Sequence, residues 1–150
     1  MTARRVYLIR HAKAEGHHAQ GDAARRLLPE GRARFNRGLA ELGERLAVKR
    51  IVTSPFVRAR QTAELLAGAT GAPVEEEPGL ASGAASARDV LSLVRAAGTG
   101  TALVGHNPEF AEVICDAAGR ELEVKPGAVA ALDVDGRKVT LAWLERGSKG

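Results

Sequence analysis

Short apolar runs alternate with longer amphipathic stretches along most of this 150-residue chain, and the alternation leaves few folds open. Val6-Tyr7-Leu8-Ile9 is a four-residue apolar run, too short for a helix to bury and read as an inner strand. From Pro29 to about Val48, Phe35, Leu39, Leu42 and Leu46 recur at the spacing of one helical face. Ile51-Val52-Thr53 reads as a second strand. Phe56 to about Gly68 reads as a second helix, with Val57, Ala63 and Leu66 for its buried face. Pro73-Val74 marks a third strand. Residues 86–97 form a helix carrying Val90, Leu91 and Val94 inward. Thr101–Val104 is a strand, and Pro108 to about Ala118 a helix. Residues 12–28 lack a period and read as irregular. At the end Val129–Val134 and Lys138–Leu144 flank Asp135-Gly136, a hairpin signal. Strands alternating with helices argue for parallel pairs joined by crossovers. The expected fold is therefore α/β: a three-layer α/β/α sandwich whose mostly parallel central sheet ends in an antiparallel hairpin. The length and the lack of any linker or repeat give a single domain over residues 1–150.

Three of the strands end in related chemistry. The first runs into Arg10-His11, the second into Ser54-Pro55 with Arg58 a turn later, and the third into Gly105-His106-Asn107-Pro108. In the last two, Ser54 and Asn107 are read as helix caps, each followed by a proline at the first helical position. Open α/β sheets take ligands just beyond the carboxyl ends of their strands. Arg10, His11, Arg58 and His106 at such ends make a compact cationic pocket, suited to a tetrahedral dianion gripped by forked guanidinium donors. An arginine beside a strand end can equally serve a surface ion pair, and a histidine before Asn-Pro can help cap a helix. It is the coincidence of all four that points to a site.

Charge agrees with an anionic ligand. Residues 1–60 carry 14 Lys/Arg against 5 Asp/Glu, whereas residues 61–150 carry 8 against 13, within a net charge of +4. Aromatic residues make up only 3%, which leaves little for base stacking and argues against a nucleic-acid partner. One cysteine, Cys115, excludes an internal disulfide and a thiolate-rich metal site; it is read as core, on a stripe with Ala111 and Ala118. Trp143 alternates with Leu141 in the last strand, and Gly147–Gly150 read as a frayed tail. No run approaches the ~18 apolar residues of a membrane span, nor the h-region of a signal peptide. The expectation is a cytoplasmic monomer, with no membrane association.

Leu8-Ile9-Arg10-His11-Ala12 resembles the Arg-His-Gly signature of the histidine phosphatase superfamily, whose fold is that of the phosphoglycerate mutases. Ser54-Pro55-Phe56-Val57-Arg58 resembles its second arginine motif, and Val104-Gly105-His106-Asn107-Pro108 its second histidine motif. The short length and Arg25-Arg26-Leu27-Leu28-Pro29-Glu30-Gly31 are further similar to the compact SixA-type branch, the phosphohistidine phosphatases. The resemblance implies that His11 is a nucleophile that takes the phosphoryl group and that water then releases phosphate. It implies that Arg10, Arg58 and His106 bind the phosphoryl oxygens and that Arg25 contacts phosphate or substrate. Arg10 and Arg58 would keep the His11 imidazole neutral, as the attack requires. No cofactor or metal is called for, since the cations replace a metal ion and no cluster has metal-ligand spacing; His17 and His18 read as solvated.

Two departures from the family pattern bear on the substrate. Ala12 stands where glycine is usual, which demands a backbone conformation open to alanine. Ser82 stands where many members carry a carboxylate, the general acid that an ester leaving group needs. Its absence favours a phosphoramidate, whose imidazole nitrogen leaves more readily. Glu75, Glu76 and Glu77, read as a solvated turn, and Glu109, read as a helix-dipole partner, remain candidates for a displaced acid. The expected function is metal-independent dephosphorylation of phosphohistidine on a protein. The alternatives are a phosphatase of small phosphate esters or sugar phosphates and a non-catalytic phosphate- or nucleic-acid-binding module. A mutase would need insertions that this chain lacks.

Overall fold

A computed structural model of the protein describes residues 3–145; the tail expected at Gly147–Gly150 lies outside them. The element order is β1 (Arg4–Arg10), α1 (Pro29–Leu42), β2 (Arg50–Thr53), α2 (Val57–Thr70), β3 (Val74–Glu76), α3 (Ala87–Ala96), β4 (Thr101–Gly105), α4 (Glu109–Ala118), β5 (Val129–Asp135) and β6 (Lys138–Glu145). The six strands form one sheet in the order β3-β2-β4-β1-β5-β6. The first four are mutually parallel, and β5 and β6 are antiparallel.

Two-residue alternation along β1 divides the core between the two faces of the sheet. Tyr7 and Ile9 face α1 and α2, and pack with Phe35, Leu39, Ala63 and Leu66. Val6 and Leu8 face α3 and α4, and pack with Val90, Val94, Phe110 and Ile114. This is the expected α/β/α sandwich. Because β1, β2 and β4 are adjacent or nearly so and run the same way, their carboxyl ends meet at one edge.

Several local expectations are corrected. The first helix stops at Leu42 rather than near Val48, because Gly43 takes φ 50° and its N–H bonds back to the Leu39 carbonyl. Leu46 still reaches the core through a short 3-10 turn, Gly43–Arg45. Ser54 and Asn107 do not cap their helices, which begin at Val57 and Glu109, and neither proline is a first helical residue. The hairpin turn is Gly136-Arg137, with Gly136 at φ 61° and Asp135 still paired with Lys138. Leu141 and Trp143 do not share a face. A register shift opposite Ala131/Leu132 sends Leu141 to the α3/α4 side and Trp143 to the α1/α2 side, where it meets the Tyr7 ring at 6.2 Å. Cys115, Ala111 and Ala118 are only half-buried; Phe110, Val113 and Ile114 fill the inner face of α4. The Cys115 thiol bonds the Leu122 backbone.

Candidate active site

The end of β1 delivers Arg10 and His11, and backbone bonds fix the point where they leave the sheet. The His11 N–H donates to the Gly105 carbonyl at 3.0 Å. The Gly127 N–H donates to both the Arg10 and the His11 carbonyls, at 3.1 and 2.9 Å. The next N–H, of Ala12, donates to Thr62 Oγ1 at 3.0 Å, and that hydroxyl donates to the Arg58 carbonyl at 2.8 Å. One buried threonine thus ties the histidine-bearing turn to the helix that carries Arg58. No described residue other than glycine has a positive φ, so Ala12 sits in a conformation open to alanine, as expected.

His11 and His106 are both buried, with ring centroids 5.3 Å apart. His11 Nδ1 lies 2.8 Å from the Ala12 carbonyl. A carbonyl can only accept, so Nδ1 carries the proton and Nε2 keeps its lone pair. Burial, with further repulsion from His106, Arg58 and Arg10, pushes the His11 pKa down to about 3. Burial and the nearby arginines likewise lower His106, to about 4. Both rings are therefore neutral at physiological pH. His106 follows Gly105, which must be glycine: a Cβ there would stand 2.6 Å from the Phe110 ring. Its Nε2 is 2.8 Å from Ser54 Oγ, which also accepts the Phe56 N–H at 3.2 Å. Ser54, expected to cap α2, is instead a neighbour of the second imidazole.

The guanidiniums are held at their outer nitrogens. Arg10 Nη1 donates to the Val124 carbonyl at 2.9 Å, where Asn107 Nδ2 also donates at 3.0 Å. Arg58, 4% exposed, packs on the Phe56 ring and donates Nη1 to the Asp22 carbonyl at 2.8 Å and Nη2 to Asp22 Oδ2 at 3.2 Å. Burial lowers the pKa of both arginines. Arg10 Nε, Arg58 Nε and His106 Nδ1 are buried without a hydrogen-bond partner. Buried polar groups are seldom left so. Asn107 Oδ1 is left without a partner as well. Arg10 and Arg58 both act electrostatically on His11 and His106, so two cations and two imidazoles meet in one region whose charge suits a phosphoryl oxyanion.

Arg25 reaches the same region from the irregular segment 12–28. It donates Nη1 to Asp22 Oδ1 at 2.9 Å and Nε to the Glu15 carbonyl, and its charge disfavours protonation of His106. Asp22 is the residue that the sequence reading missed. It lies in an aperiodic loop, and its partner Arg58 is 36 residues away. The carboxylates weighed as a displaced acid are mostly engaged elsewhere. Glu75 pairs with Arg50, Glu76 with Arg60 at 3.6 Å, and Glu77 accepts the Gly79 N–H at 2.9 Å. They belong to the edge strand β3 and its exit rather than to a loose turn. Glu109 remains near the site, lining a small hollow with His106, Leu80 and Phe110. Among the described residues no group of three or more His, Cys, Asp or Glu could hold a metal ion. No described helix is long and apolar enough to cross a membrane.

The model of the histidine phosphatase superfamily, branch 1, matches residues 6–85. The chain belongs to that superfamily. The match includes Arg10, His11 and Arg58; His106 lies beyond it and joins them by geometry. Three solved structures share its fold over nearly the whole of both chains. A protein from Agrobacterium tumefaciens, provisionally named phosphohistidine phosphatase SixA, is 25% identical with a TM-score of 0.82, over 98% of this chain and 99% of that one. The protein histidine phosphatase SixA in complex with tungstate is 22% identical with a TM-score of 0.83, over 95% and 96%. A third, from Nakamurella multipartitia, is 23% identical at 0.77, over 99% of both. Comparison with curated protein sequences gave no match.

Proposed function

We propose that this histidine phosphatase removes the phosphoryl group from phosphohistidine on a protein by way of a phosphohistidine intermediate on His11. The observation that carries the reading is the His11 imidazole: neutral, with Nδ1–H committed to the Ala12 carbonyl and the Nε2 lone pair left for attack. Nε2 attacks phosphorus in line as the bond to the departing nitrogen breaks. Arg10, Arg58 and His106 Nδ1 donate to the equatorial oxygens, where transition-state charge gathers. For Nδ1 of His106 to donate, the Ser54 hydroxyl must donate to Nε2, and the 2.8 Å contact permits it. As His11 becomes phosphorylated its ring turns cationic, and the Ala12 carbonyl stabilises the charge on Nδ1–H. Water then attacks phosphorus and phosphate departs.

One observation favours phosphohistidine over a small ester. Of the carboxylates weighed as a displaced acid, Glu75 and Glu76 are paired with arginines and Glu77 accepts the Gly79 N–H, whereas an ester needs a proton delivered to its leaving oxygen. Glu109, which lines a hollow with His106, is the carboxylate whose replacement by Gln tests the point. The test is phosphate release by wild type and His11→Ala from a phosphohistidine protein and from an aryl phosphate. The expected result is a strong preference for the P–N bond that disappears in the variant. Equal or faster ester hydrolysis would overturn the substrate assignment, and release by His11→Ala the nucleophile.

A further inference from the structure

Asp22 is an oddity in a site meant for a dianion: a carboxylate fixed against the very guanidinium that should grip phosphate. Its placement is built, not incidental. Gly21, at φ 106°, turns the chain into the 3-10 segment Asp22–Ala24. Arg58 then holds the Asp22 carbonyl and Oδ2, while Arg25 holds Oδ1. Arg58 is buried, yet the Asp22 side chain is 58% exposed, so the carboxylate stands at the rim with its outer side toward solvent. Two carboxylate oxygens offer about four acceptor positions, and the arginines take one on each. The remaining positions are open to a substrate. The charge is also felt inside the site, where it favours protonation of His106.

We propose that Asp22 determines leaving-group selectivity, by accepting the N–H of a protonated phosphohistidine ring at the rim while its charge disfavours phosphate esters bearing anionic groups. The inference rests on the phosphatase reading above. The chemistry is that of transfer between two imidazoles. The substrate ring carries a proton on the nitrogen not bonded to phosphorus. As the His11 Nε2–P bond forms, the substrate P–N bond breaks and its electron pair passes to the departing nitrogen. The ring leaves as neutral imidazole, still holding its proton, so the protein donates none. Positive charge moves from one ring to the other. The Ala12 carbonyl receives Nδ1–H of His11, and Asp22 receives the corresponding N–H of the substrate. An ester has no such proton and needs one delivered to oxygen. Asp22 cannot supply it near neutrality, because hydrogen bonding from Arg25 and the charge of Arg58 hold its carboxyl below the usual range.

The test compares wild type, Asp22→Asn, Asp22→Glu and Glu109→Gln on N-phosphoimidazole and an aryl phosphate, with inhibition by inorganic phosphate as a third readout. Asn keeps one oxygen for Arg58 and removes the charge, with an NH2 donor in place of the oxygen that Arg25 holds. Asp22→Asn is expected to lower kcat/KM for the phosphoimidazole roughly 10- to 100-fold, the loss of a hydrogen bond to a charged group. Ester hydrolysis should hold or rise, and phosphate should inhibit more strongly. Asp22→Glu should recover part of the selectivity, and Glu109→Gln should leave it intact. A parallel fall on both substrates would reduce Asp22 to an anchor for Arg58 and overturn the proposal, as would a shift in selectivity with Glu109→Gln alone. If wild type itself lacks P–N preference, the phosphohistidine reading fails first; if it has the preference and Asp22→Asn keeps it, only this inference fails.

Discussion

Burying two neutral imidazoles side by side, their rings tilted 56° to each other, should make this protein sensitive to mild acid. In the unfolded chain each histidine titrates near 6.5, whereas folding lowers His11 to about 3 and His106 to about 4. The unfolded state therefore binds protons first as pH falls through 6.5. Stability is lost from there downward, and the loss levels off only below the folded values. At about pH 5 each ring contributes about 2 kcal/mol of loss, at about 1.4 kcal/mol per pH unit between the unfolded pKa and the assay pH. Together they remove about 4 kcal/mol, a large part of the 5–15 kcal/mol typical of a folded domain. Urea unfolding at about pH 8 and about pH 5, followed by the single tryptophan, Trp143, measures the difference. Trp143 suits the purpose because it packs on Tyr7 under the Arg45 guanidinium, 4.5 Å from the ring centre. Buffers must be free of oxyanions, which would bind the same nitrogens. Wild type should lose about 4 kcal/mol more than a His11→Asn/His106→Asn variant, whatever the variant's stability at pH 8. Equal losses in the two proteins, to within about 1 kcal/mol, would refute the argument and place the acid-sensitive groups elsewhere.

Removing the guanidinium in Arg58→Ala should lower turnover roughly 10²- to 10³-fold, the usual effect of deleting one charge-stabilising donor; steady-state kinetics on the preferred substrate would show it. Thr62→Val keeps the shape but strips the Ala12 N–H of its acceptor, and should destabilise the fold by about 1–3 kcal/mol in urea titration. Because the same hydroxyl links the His11 turn to α2, its turnover should fall as well.

The sheet was legible because its signals are local. Four-residue runs such as Val6–Ile9 are too short for anything but a strand, and the Phe35/Leu39/Leu42 spacing admits one helical face. Where local signals misled, one residue usually outweighed a pattern. Gly43 ended α1 although the apolar spacing continued to Leu46. A bulge reversed the alternation between Leu141 and Trp143, and nothing in a period-two pattern announces a bulge. Ser54 and Asn107 had the right chemistry for caps, but each found a tertiary partner instead: His106 for one, the Val124 carbonyl for the other.

The site was legible to the extent that it is made of strand ends. Arg10, His11, Arg58 and His106 each follow an apolar run closely, so a correct sheet brings them together. Asp22 and Arg25 do not follow from the sheet, because they arrive on a loop whose path is fixed by distant contacts. Leu27 N–H donates to Gln61 Oε1, Leu28 N–H to the Lys13 carbonyl, and Gly31 lets α1 lie against the Lys13 backbone. This division has a physical consequence. In the proposed site the strand ends supply buried donors that would suit any phosphoryl group, since three equatorial oxygens look alike on esters and phosphoramidates. What distinguishes those substrates is the group on the far side of phosphorus, and Asp22 on the loop is the carboxylate that both Arg58 and Arg25 hold at the rim. The proposed selectivity thus rests on the part of the site that sequence periodicity does not reach, on a carboxylate held by one guanidinium 36 residues away.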